Sequence, residues 1–184
     1  MYNAENTQNI LEQLRDFFYF GTQDTMKQAY HEMCRINGKE PSQTDWVEEE
    51  YCFNRLFVGP SAPAAPMLAS YYLETDMAYN GHVTKCVKNL YLTIGLELPN
   101  GVNIPEDSLP FELDACRYLT RLENIAKEAS EIRKYFIKNH MNEWVRLFLS
   151  KTEHEQKTPA VDYMLFILKR WIESAVAELA AQEV

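Results

Sequence analysis

The chain has 184 residues, of which 46% are hydrophobic and 24% charged: enough for one domain with a substantial core, short for two, and unlike a disordered chain. Its 18 basic and 27 acidic residues leave a net charge of −9, which argues against nucleic acid, whose binding rests on clustered Lys and Arg, and suits a soluble protein that receives a basic partner. No apolar run approaches the roughly 20 residues that span a bilayer, and the start, Met1-Tyr2-Asn3-Ala4, lacks the basic and apolar regions of an export signal, so a cytoplasmic protein is expected.

Few glycines and long 3.6-residue periodicities predict an all-α, single-domain helical bundle over residues 1–184. From about Thr7, the residues Ile10, Leu11, Leu14, Phe17 and Phe18 form one apolar stripe that breaks at Gly21. Met26, Ala29, Tyr30, Met33 and Cys34 mark a second helix, closed by Gly38 and paired with the first as an antiparallel hairpin. After the turn at Pro41, Asp45 and Glu48 have capping-box-like spacing for a helix that runs through Trp46, Tyr51 and Phe57. The run Glu48-Glu49-Glu50 reads as a solvated face near that helix N-terminus, or as an attractor for a basic peptide.

That helix ends at Gly59, and Pro60, Pro63 and Pro66 follow. Each proline fixes φ and removes a donor, so the stretch cannot be helical and is a stiff, extended connector. Its side chains are small or apolar, as in a groove wall or a packed connector between helical layers. Val83, Val87, Leu90, Tyr91 and Ile94 define the next helix, stopped near Gly95, and Pro99-Asn100-Gly101 signals a turn. From about Ser108 a helical pattern runs through Leu113, Cys116, Leu119, Phe136, His140, Trp144 and Phe148; it is long for one helix, and kinks are expected near residues 126–130 and 138–140. Thr158-Pro159 opens a last helix with Met164, Ile167, Leu168, Trp171, Ile172 and Ala175 facing inward.

Recognisable catalytic or metal-binding patterns are lacking. The four histidines are scattered without a Glu-x-x-His pair, and there is no H-E-x-x-H, P-loop, G-x-G-x-x-G or G-x-S-x-G. Cys34, Cys52, Cys86 and Cys116 are widely spaced and read as reduced, mostly packed thiols. His140, four residues before Trp144, reads as a packed helix histidine.

Two stretches taken together point further. Arg55-Leu56-Phe57-Val58-Gly59-Pro60 with Pro63, Pro66, Ser70 and Tyr72-Leu73, then Pro105-x-Asp107 and Glu112-Leu113, with a looser match at His140 and Trp144, resemble in order and spacing the TorD/DmsD/NarJ family of redox-enzyme maturation chaperones. The chain departs from the family pattern at Ser108, where histidine is common, and at Leu68, where an aromatic residue often stands.

The resemblance implies a TorD-like helical fold and a cytoplasmic chaperone, not an enzyme. It would bind the twin-arginine signal peptide and apo form of a molybdenum-cofactor oxidoreductase of the dimethyl-sulfoxide or trimethylamine-oxide reductase type, acting as monomer or homodimer. The molybdenum cofactor belongs to the client and none to the chain itself. Such a peptide presents guanidiniums and then an apolar stretch, so its binder needs carboxylates near a hydrophobic groove. The expected peptide-facing or groove-shaping set is Arg55, Phe57, Gly59, Pro60, Pro63, Pro66, Leu68, Ser70, Tyr72, Pro105, Glu106, Asp107, Ser108 and Glu112. Within it Arg55 is expected to pair with a carboxylate of the second motif, and Asp107 or Ser108 doubles as a helix cap. Three rival readings stand beside this one: a nitrate-reductase-type assembly chaperone, a helical enzyme acting on a small molecule, and a generic helical protein-interaction module that binds a peptide without needing an arginine pair.

Overall fold

The computed structural model describes residues 4–75, 81–123 and 125–181. The amphipathic stripes become α1 (Ala4–Phe20), α2 (Gln23–Ile36), α3 (Trp46–Phe53), α4 (Ala69–Leu73), α5 (His82–Thr93), α6 (Leu109–Leu122), α7 (Lys127–Phe136), α8 (Asn142–Thr152) and α9 (Pro159–Ala181). Among the described residues no strand forms, and no helix is long and apolar enough to cross a membrane.

Helix α1 packs against both α2 and α6, burying Ile10, Leu11, Leu14, Phe17 and Phe18. Helix α9 turns one broad apolar face inward, with Val161, Met164, Leu168 and Trp171 along it, and closes the core against α3, α8 and α1. One contiguous core results. The expected kinks fall where helix geometry fails: α6 ends at Leu122, and α7 continues into α8 only through a π-helical turn, Ile137–Met141. A second π turn, Asn54–Val58, prolongs α3 to Gly59. Such turns widen the helix by one backbone register and often mark functional sites.

The acidic run of α3 is not the uniformly solvated face that the sequence suggests. Glu49 is fully buried and accepts hydrogen bonds from the amides of Ala160 (2.9 Å) and Val161 (3.1 Å) and from the hydroxyls of Thr44 and Thr158. The first turn of α9 leaves amides without intrahelical partners, and a carboxylate from another helix supplies them. Glu48 does point to solvent, and Asp45 caps α3 by accepting from the Val47 amide at 2.9 Å.

Candidate functional site

The two distant motifs meet through their backbones. The Ala69 amide donates to the Asp107 carbonyl and the Leu109 amide to the Met67 carbonyl, each at 3.0 Å, so Leu68 and Ser108 form an isolated antiparallel bridge. Helix α4, a single turn absent from the sequence expectation, starts at this bridge. Asp107 serves its N-terminus by accepting the Ser70 amide at 2.8 Å through Oδ2. Asp107 therefore caps α4 rather than α6. Ser108 does occupy the N-cap position of α6, but its hydroxyl makes no capping bond.

The proline loop is held at its other end as well. Gly59 ends the π turn at φ 119° and ψ −172°, and its amide reaches the Asn54 carbonyl at 2.8 Å. A Cβ there would stand 2.7 Å from the Ser61 carbonyl oxygen, which accounts for glycine before Pro60. The Ala65 amide then bonds the Leu56 carbonyl at 2.8 Å, folding the loop back on the turn. Behind it Phe57 meets Phe18 and Phe53 edge-on at 5.8 and 5.1 Å and Phe148 at a tilt at 5.7 Å. The second motif is propped by Tyr91, whose hydroxyl donates to the Glu106 carbonyl at 3.0 Å.

Between these walls lies a cleft of about 450 Å³. Of the expected residues, Phe57, Pro63, Pro66, Leu68, Pro105 and Ser108 line it. The end of α1, Phe18-Tyr19-Phe20, completes the back wall, a contribution that sequence reasoning missed. The lining carries no charged side chain.

That last fact corrects the expectation for the carboxylates. Asp107 and Glu112 have no exposed surface, and Glu106 pairs with Lys88 at 3.0 Å on α5. Glu112 accepts from the Trp144 indole nitrogen at 2.8 Å and meets His140 Nε2 at 2.6 Å, so it joins α6 to α8 beneath the surface. His140, presented by the π turn, stacks on Phe136 at 5.1 Å. Burial raises the Glu112 pKa against the pull of His140 and Trp144; for His140 burial works downward, but the Glu112 charge prevails and raises it. Tyr72 packs the same layer, stacked on Trp144 at 5.9 Å.

Arg55 does not pair with the second motif. Its guanidinium binds Glu155 at 2.6 Å and the Gln156 carbonyl, tying the π turn to the segment between α8 and α9. Pro60 lies exposed at the loop tip. Among the described residues no three His, Cys, Asp or Glu side chains gather as a metal site.

A family model described as "Nitrate reductase delta subunit" matches residues 2–150. The chain belongs to this family. Its members are maturation chaperones of the NarJ/TorD type, which bind molybdoenzyme subunits, so the chain is a chaperone and the small-molecule enzyme reading falls. The fold agrees: a solved structure described as a redox enzyme maturation protein from Archaeoglobus fulgidus superposes with a TM-score of 0.60 at 16% identity, covering 98% of this chain and 96% of that one. No curated protein matches the chain at a significant level.

Proposed function

We propose that this delta-subunit-family chaperone holds an apolar N-terminal segment of its client in the cleft between the proline loop and the second motif. The client is a molybdenum-cofactor oxidoreductase, held in the cytoplasm until its cofactor is in place. The observation that carries this is a cleft lined without charge and joined across its floor by backbone hydrogen bonds, so that little ordering is required when a peptide enters. Glu112, Asp107, Tyr91 and Arg55 shape the cleft from behind rather than touching the peptide.

A client of the dimethyl-sulfoxide or trimethylamine-oxide reductase type offers its twin-arginine signal peptide, whose apolar stretch fits such a lining. The family description fits a second reading equally well, a nitrate reductase as client, whose amino terminus would carry only a remnant signal or none. Both place an apolar segment in the same cleft, and they differ in whether an arginine pair is needed.

Fluorescence anisotropy with synthetic peptides of the two kinds tests the reading. Leu68→Asp, which sets a charge in the apolar lining, should weaken binding at least about tenfold, the effect of about 1.4 kcal/mol. Binding unchanged by Leu68→Asp would place the client elsewhere. A preference for the twin-arginine peptide over its twin-lysine form favours the first client type, and indifference favours the second.

A further inference from the structure

Resting on the cleft reading above, we propose that the basic end of the client segment is received in a second pocket adjoining the cleft, beside Glu97, and not at the second motif. This pocket, of about 420 Å³, shares Tyr19 and Phe20 with the cleft, so the exposed aromatic corner at the end of α1 belongs to both. The loop between α5 and α6 walls the two in succession. Leu96, Leu98 and Val102 face the pocket, and Ile104 and Pro105 face the cleft. A chain crossing Phe20 therefore stays on apolar surface from one hollow to the next.

Charge divides between them. None of the cleft-lining side chains is charged, whereas Arg15, Asp16, Glu97 and Asp114 all border the pocket. Asp16 and Asp114 are shared by Arg15, at 2.7 and 2.8 Å, and Arg117 also holds Asp114 at 3.0 Å. Glu97 is exposed and makes no ion pair or hydrogen bond among the described residues. The carboxylates of the second motif are buried or engaged, so Glu97 is the acid beside this apolar trough that is free to accept a cation. A guanidinium entering here can bond Glu97 while lying against Tyr19 or Phe111, whose rings are 5.5 Å apart. The occupant is thus a segment with an apolar stretch and arginine at one end. An apolar segment without the cation would fill the cleft and leave the pocket unused.

The test uses anisotropy with two synthetic peptides, one with an arginine pair before a leucine-rich stretch and one with a glutamine pair in its place. These are titrated against the intact chain and its Glu97→Gln, Glu97→Lys and Leu68→Asp variants. Glu97 is on an exposed loop, so its variants keep the fold, which circular dichroism checks. Glu97→Gln should weaken the arginine peptide about two- to fivefold and Glu97→Lys about tenfold, with neither changing the glutamine peptide. Leu68→Asp should weaken both peptides alike. If the Glu97 variants bind the arginine peptide as the intact chain does while Leu68→Asp weakens it, the pocket assignment is overturned and the cleft reading stands. If neither peptide binds, or Leu68→Asp changes nothing, the cleft reading falls and the pocket assignment with it.

Discussion

Replacing Glu112 by glutamine tests how the floor of the cleft is held. The side chain is fully buried and bonds both His140 and Trp144, and glutamine keeps the shape and an acceptor for the indole. What is lost is the charge-assisted bond to His140, worth about 1.5–3 kcal/mol, so near pH 6 the variant should unfold at a temperature roughly 5–10 °C lower. The pH dependence sharpens the test. In the folded chain Glu112 and His140 both have pKa values raised above their ordinary 4.5 and 6.5, so between those values and somewhat higher the folded state binds more protons than the unfolded. The stability this pair contributes is present at the acid end of that window and is lost as pH rises through the folded pKa values. Urea unfolding followed by tryptophan fluorescence from pH 5 to 8 should therefore show the penalty of Glu112→Gln shrinking as pH rises. A penalty that grows with pH, or one below about 0.5 kcal/mol at pH 6, would refute a buried proton-sharing pair.

Other substitutions probe other joints of the fold. Gly59→Ala should cost about 1–3 kcal/mol in chemical denaturation, because a Cβ at φ 119° meets the Ser61 carbonyl; an unchanged midpoint would mean that the loop relaxes freely. Glu49→Ala removes three hydrogen bonds at the start of α9 and one from Thr44 and should cost about 3–4 kcal/mol, with Glu49→Gln losing less; equal losses would show that packing rather than bonding dominates there. Arg55→Ala breaks a partly exposed pair and one carbonyl bond, so about 1 kcal/mol of stability should go while peptide affinity holds in anisotropy. A tenfold loss of affinity would return Arg55 to the binding surface.

Helical periodicity made the bundle legible, since Met26, Ala29, Tyr30, Met33 and Cys34 are all buried as their spacing predicts. The proline loop was legible from its prolines, and its juxtaposition with Pro105 and Ser108 followed from the family resemblance. The fate of individual carboxylates was not. Nothing in the run Glu48-Glu49-Glu50 distinguishes the one that turns inward, because that depends on the N-terminus of a helix more than a hundred residues later. Asp107 and Glu112 likewise sit in a sequence that reads as an acidic surface, and only packing against α4 and α8 reveals them as internal partners. The aromatic end of α1 did carry a signal in the sequence. Tyr19 and Phe20 fall beside the stripe of Leu11, Leu14 and Phe18, and aromatic residues outside a buried face are candidates for binding.

The bridge between Leu68 and Ser108 separates two tasks that many binding sites merge. Peptide groups do the joining, and the side chains at the same positions are left to line the hollow. Exchanging Leu68 for an aromatic, or Ser108 for histidine, would alter the shape and polarity offered to a client without touching the atoms that keep the walls together. A scaffold of this kind can be retargeted by a few side-chain changes, and a new client specificity can arise without a new fold.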